Sequence, residues 1–101
     1  MDRPPKISNL LWIIRKCLDE GRYLDTRHAF QRQLEREITR PEVQNVLQTG
    51  FHEVKKDRFD KDYNAWNYAI SGKTIDRRKL RVIISFNENN MLIITAIDLS
   101  N

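Results

Sequence analysis

At 101 residues the chain makes one domain with room for a small core, so large inserted loops are excluded. Its hydrophobic share of 40% and charged share of 32% exclude a disordered chain. It carries 18 Lys and Arg against 14 Asp and Glu, a net charge of +4 that favours an anionic partner.

The single Cys17 excludes an internal disulfide and a Cys-based zinc site, which fits a reducing cytoplasm. The run Leu10–Ile14 is too short for a membrane span and is followed at once by Arg15 and Lys16, unlike a signal peptide.

Residues 1–6 contain two prolines and read as a flexible arm. A first helix is predicted over about 8–20. Ile7, Leu10, Leu11, Ile14, Cys17 and Leu18 recur at helical spacing, and Gly21 stops it. Trp12 and Ile13 widen its apolar face, which is either buried or meets a second copy of the chain. A second helix is predicted over 26–37, capped by Asp25 or Thr26, with Phe30, Leu34 and Ile38 as its buried stripe. A third begins with the capping box Thr39-Arg40-Pro41-Glu42, buries Val43, Val46 and Leu47, and ends at Gly50.

After Gly50 the period changes to two, and four strands are predicted over about 51–58, 65–71, 79–86 and 91–98. Leu92, Ile93 and Ile94 place apolar groups on both faces, so the last strand is internal or covered. Asn tolerates positive φ in a hairpin turn over 88–90. The expectation is an α+β fold: three N-terminal helices followed by a four-stranded antiparallel sheet.

Charge is uneven along this plan. Residues 51–81 hold nine Lys and Arg against five acids, a net of +4 that equals the charge of the whole chain. Aromatics are interleaved with these cations, a pattern suited to nucleic acid.

The second helix reads His28-Ala29-Phe30-Gln31-Arg32-Gln33-Leu34-Glu35-Arg36-Glu37-Ile38. Its His-Ala-x-x-Arg-x-x-x-Arg-x-Ile pattern, followed by a capped helix ending in Gly, resembles the bacterial family called domain of unknown function 4258. Tyr68–Gly72, Leu80–Ile84 and Ile94–Ile97 match that family's strands, so the resemblance covers about 24–99. More remotely, the element order resembles the RelE and BrnT toxins, and Val82–Phe86 resembles the central strand of MqsR toxins. Those resemblances imply a RelE-like layered fold, a metal-free ribonuclease and a neutralising antitoxin partner.

Metal-free RNA cleavage needs a base at the ribose 2′-OH, an acid at the leaving 5′-oxygen and a cation at the phosphorane. It also needs an unstacked base held in line. His28 and His52 titrate in the right range by residue type, and the family pattern favours His28. Arg81 and Lys55 complete the catalytic candidates. Arg32, Arg36, Lys56, Arg58, Arg77 and Arg78 are candidates for phosphate contact, and Trp66 and Tyr68 for base stacking. Structural roles compete with each of these. Arg32 and Arg36 can serve a charge cluster with Glu35, Trp66 and Tyr68 can be core, and Arg81 can pair with Asp98. Lys55 and Lys56, on a strand, point to opposite faces.

No cofactor or metal is expected: Asp57, Asp60 and Asp62 lack the Gly and distal Glu of a calcium loop. The expected partners are RNA and an acidic antitoxin protein, with a homodimer through the first helix as a further possibility and no membrane. Two other functions use the same residues: a non-catalytic module binding nucleic acid or protein, and a structural dimerising domain.

Overall fold

The computed structural model describes residues 3–100. Helices α1 (Leu10–Asp19), α2 (Arg27–Glu35) and α3 (Arg40–Thr49) form where the helical periodicity lies. Gly21 takes φ +69° just past α1, a conformation glycine adopts without strain. Thr26 caps α2 by accepting from the Ala29 N–H, and Thr39 and Glu42 form the capping box of α3.

Among the described residues six strands are present, not four: β1 (Tyr23–Asp25), β2 (Phe51–His52), β3 (Arg58–Asp60), β4 (Ala65–Lys73), β5 (Lys79–Phe86) and β6 (Met91–Asp98). The sheet order is β1-β6-β5-β4-β2, and β3 pairs separately with β4. β1 runs parallel to β6 and the other pairings are antiparallel, so the sheet is mixed. β1 stands between α1 and α2, so the helices do not form an uninterrupted N-terminal block. Three residues are too few to show a period of two, which is why the sequence hides β1. The strand expected over 51–58 is broken by a 3-10 turn at Val54–Lys56. Lys55 and Lys56 are therefore both exposed on that turn rather than on opposite faces of a strand.

β6 is internal, as its two-sided apolar run requires. Ile83 pairs with Thr95 and Ile84 with Ile93, so Ile94 is the extra residue of a bulge. The β5–β6 turn uses no positive φ. Asn87 instead accepts the Asn89 and Asn90 N–H groups with its side-chain oxygen, at 3.0 and 2.7 Å.

The core lies on one face of the sheet. Ile70, Leu80, Val82, Ile84, Met91 and Ile93 point there, against Ile14 of α1 and Val43, Val46 and Leu47 of α3. α2 packs along β6 instead. Its buried residues are Ala29 and Gln33, not Phe30 and Leu34, which are 54% and 66% exposed. The helix is rotated by about one residue, roughly 100°, so that the small Ala29 allows close approach and the Gln33 amide reaches Asp25 at 3.1 Å. Arg36 donates to the Ala96 carbonyl at 2.6 Å, satisfying a group on the β6 edge that no strand covers.

The N-terminal arm is docked rather than loose. The Ile7 N–H donates to the Tyr68 hydroxyl at 3.0 Å, and Trp66 Nε1 donates to the Pro4 carbonyl at 2.8 Å. Arg3 and Lys6 lie over the Trp66 ring, at 5.6 and 4.5 Å from its centroid. Residues 1 and 2 of the expected arm lie outside the described residues.

Candidate nucleic-acid interface

The face of the sheet opposite the core carries the chemistry. Strand alternation puts Ser71 and Lys73 of β4 there, with Lys79, Arg81 and Ile83 of β5 and Thr95 and Ile97 of β6. Arg81, Ile83, Thr95 and Ile97 are only half-buried, so this face is open to solvent.

Arg81 does not pair with Asp98. Its Nε and Nη2 donate to the two carboxylate oxygens of Glu53, at 2.8 and 3.0 Å. Glu53 follows β2 and is tied to β4 through its N–H on the Ala69 carbonyl. The Ser71 hydroxyl also donates to Glu53. Hydrogen bonds from Arg81 and then Ser71, with the nearby charges of Arg81 and Lys56, hold the Glu53 carboxyl down at about 2. A carboxylate so held is a poor proton carrier; it fixes Arg81 in place. The side-on pairing leaves Arg81 Nη1 without a partner among the described residues.

The sign of the Glu53 shift sets a pH dependence. The folded state depresses this pKa, so its stabilisation is present above the unfolded value of about 4.5. It is lost as pH falls from there through about 2. Partial exposure discounts the contribution to about 1–2 kcal/mol. Acid titration of Glu53→Gln beside the wild type should show that pH-dependent component missing from the variant. Identical acid limbs would disprove the pairing.

Asp98 is claimed by Arg78 instead, at 2.8 Å, and Arg78 also reaches Glu42 at 3.1 Å and the Glu37 carbonyl at 3.1 Å. Its pKa is raised, first by the Asp98 hydrogen bond. Arg78 therefore ties β5, β6, α2 and α3 together and is structural rather than a phosphate ligand. Arg77 is exposed at φ +67° in the β4–β5 turn. Arg58 is exposed and folds back on the carbonyls of Lys55 and Asp57. Tyr68 is 3% exposed and belongs to the core, and Trp66 is half-buried beneath the arm, so neither ring is presented for stacking. Arg36 is committed to Ala96 and Arg32 to Glu35 at 2.8 Å.

His28 is exposed on α2 and has no hydrogen-bond partner among the described residues. One flank of α2, Phe30 and Leu34, borders a groove shared with Thr39 and Arg40 on the helix-layer side. By the 100° helical period, His28, Arg32 and Glu35 occupy the opposite flank of the helix. α2 packs along β6, so β6 lies between the helix that carries His28 and the strand that carries Arg81. Lys55 lies beyond β4, at the far edge of the sheet. From β6 to β2 is three strand spacings, about 14 Å. The structure does not bring Lys55 together with His28.

A second cluster was not legible in the sequence. Asp57, with its side chain 1% exposed, accepts from the Ala69 N–H at 2.9 Å, pairs with Lys6 at 2.9 Å and meets His52 Nε2 at 2.8 Å. A carboxylate only accepts, so the network assigns the hydrogen to Nε2. The His52 ring packs edge-on to Tyr68, with centroids 5.8 Å apart. In the sequence Asp57 reads with Asp60 and Asp62 as an incomplete calcium loop, and nothing local marks it as the buried one.

Among the described residues no group of three His, Cys, Asp or Glu side chains is placed to hold a metal ion. No described helix is long and apolar enough to cross a membrane.

These observations define a small α+β domain with a basic, open sheet face. A family model described as Domain of unknown function (DUF4258) matches residues 26–98, from the α2 cap to the end of β6, and the chain belongs to that family. Searches of curated proteins and of solved structures found no significant match.

Proposed function

We propose that this chain is a small cytoplasmic ribonuclease of the toxin type, with a RelE-like relationship, that binds single-stranded RNA across its open sheet face. The carrying observation is that face itself: Arg81 is pinned by Glu53, the charge of Lys56 lies near that carboxylate, and α2, which carries the exposed His28, packs along the neighbouring strand β6. A scissile phosphate seated above Thr95 and Ile97 would lie between His28 and Arg81. There the His28 imidazole takes the 2′-OH proton as the 2′-oxygen bonds to phosphorus. Arg81 stabilises the charge on the phosphorane, and the imidazolium gives the proton to the departing 5′-oxygen. The products are a 2′,3′-cyclic phosphate and a 5′-hydroxyl, with no metal in the scheme. An acidic antitoxin segment covering the same cations would neutralise it.

Regulated expression of the wild type beside His28→Ala and Arg81→Ala is the test. The wild type should arrest growth and produce cyclic-phosphate RNA ends, and each variant, folded, should lower cleavage about 100-fold or more. Intact RNA and unchanged growth at a high level of folded wild type would sink the cleavage step.

A second reading has its own support. β6 separates His28 from Arg81, and two Arg81 donors are already spent on Glu53. A non-catalytic RNA-binding module fits that spacing and predicts salt-dependent binding without product.

A further inference from the structure

The end of the open face farthest from His28 holds an arrangement that the cleavage scheme does not use. Lys73 of β4 and Lys79 of β5 are direct cross-strand partners. The Lys79 carbonyl accepts from Leu99 and its N–H donates to Ser100, so both backbone groups are turned toward β6. Lys73 and Lys79 are therefore a non-hydrogen-bonded pair, the kind in which opposing side chains stand closest. Like charges in that position destabilise a sheet, and neither lysine is ion-paired with an acid among the described residues.

Beside the lysines is a cavity of about 230 Å³, lined by Phe51, Ser71, Gly72, Leu80 and Leu99 and bordered by Glu53. Phe51 is 59% exposed although it belongs to a strand in register with Ser71. An exposed ring, an apolar slot and two uncompensated cations at its mouth suit a planar aromatic group carrying an anion. A nucleotide has that composition: the base stacks on Phe51 and a phosphate lies between the ammonium groups. An acidic peptide would satisfy the lysines but leave the slot and the ring unused.

We propose that Phe51, Lys73, Lys79 and Leu99 form a nucleotide subsite that holds one base and one phosphate of a bound strand, adjoining the Glu53–Ser71–Arg81 group. The inference deepens the RNA reading above and rests on it for the strand's identity, but it is testable without cleavage.

The first probe is a nucleoside 5′-monophosphate titrated into the labelled protein, with amide shifts followed by NMR. Inorganic phosphate and a short polyglutamate are run beside it. The expected result is saturable shifts at Phe51, Lys73, Lys79 and Leu99 with the nucleotide, weaker ones with phosphate alone, and loss of both in Lys73→Gln/Lys79→Gln. The second probe is a short single-stranded RNA, read by anisotropy against salt. The double variant should lower the slope of log K against log salt by about 0.7 for each phosphate contact removed. Phe51→Ser should weaken binding roughly 5–150-fold, the range of one lost stacking contact. Lys79→Glu should raise Tm by a few degrees while abolishing the nucleotide shifts, because it relieves the like-charge pair.

Polyglutamate acting at these residues while the nucleotide does not would overturn the proposal in favour of a peptide site. Wild-type RNA binding unchanged by both Lys73→Gln/Lys79→Gln and Phe51→Ser would overturn the subsite and leave the RNA reading standing. Nucleotide shifts at the four residues without any RNA cleavage would support the subsite and count against the ribonuclease.

Discussion

Asp57→Ala is expected to destabilise the fold by about 3 kcal/mol, the low end of the range for breaking a buried charge pair, because the partner Lys6 is partly exposed. That is a large part of the roughly 5–15 kcal/mol that holds a domain of this size together. Three donors converge on a side chain that is 1% exposed: the Ala69 N–H, Lys6 and His52. Alanine leaves the Ala69 N–H unpaired inside β4, the longest strand, and releases the partly exposed Lys6 ammonium. Asp57→Asn separates the two losses. An amide oxygen can still accept from Ala69, whereas the charge that holds Lys6 is gone, so a smaller cost of about 1–3 kcal/mol is expected. Urea unfolding measures the totals. Hydrogen exchange at the Ala69 amide and Trp66 fluorescence follow the strand and the arm separately. An Asp57→Ala protein within about 1 kcal/mol of the wild type would mean that the cluster contributes nothing net, as some buried ion pairs do.

The Asp57 cluster also bears on the open face. His52 and Glu53 are neighbours in sequence and point to opposite sides of the sheet, one to Asp57 and the other to Arg81. The 3-10 turn that carries Lys55 and Lys56 follows directly and ends at Asp57. Losing Asp57 frees the far end of that turn, so the position of Lys56 beside Glu53 depends on a carboxylate buried under the other face.

Long, strongly patterned elements were readable from the sequence. The capping box placed α3, Gly21 closed α1, and Leu80, Val82 and Ile84 announced their inward face by strict alternation. What failed was whatever depended on tertiary partners. The apolar spacing of Phe30 and Leu34 is helical, but α2 lies along a strand edge where close approach selects Ala29 and Gln33. A three-residue parallel strand such as β1 has no period to read and exists because β6 offers a free edge. The same limit applies to the candidate interface. Arg81 was identifiable as a charge on an apolar strand, but its partner is Glu53, 28 positions away in sequence, rather than Asp98. The pairing of Lys73 with Lys79 follows from the β4–β5 register alone.

Gly50→Ala should be nearly as damaging as Asp57→Ala, for a reason unrelated to charge. Gly50 has φ −79°, which any residue adopts, so the constraint is space and not backbone conformation. A Cβ at this position would lie 2.5 Å from both the Ser71 and Val46 carbonyl oxygens. Both are backbone atoms, one in β4 and one in α3, so neither can move aside as a flexible side chain would. Gly72 packs against the same spot, where its own Cβ would come within 3.0 Å of the Gly50 Cα. The two glycines let the end of α3 touch β4 directly, and the Gly50 carbonyl also accepts from Arg15 of α1. Overpacking of this kind costs about 3 kcal/mol, equivalent to a fall in Tm of roughly 12–24 °C for a domain of about 100 residues. Calorimetry of Gly50→Ala checks it, and a fall of less than about 4 °C, or roughly 1 kcal/mol, would show that α3 can slide on β4 at little cost. A variant that stays folded is informative in a second way. Ser71, whose carbonyl must yield to the new methyl group, donates its hydroxyl to Glu53. The displacement is therefore delivered to the carboxylate that fixes Arg81, and Gly50→Ala should weaken the proposed RNA binding even at temperatures where the protein is fully folded.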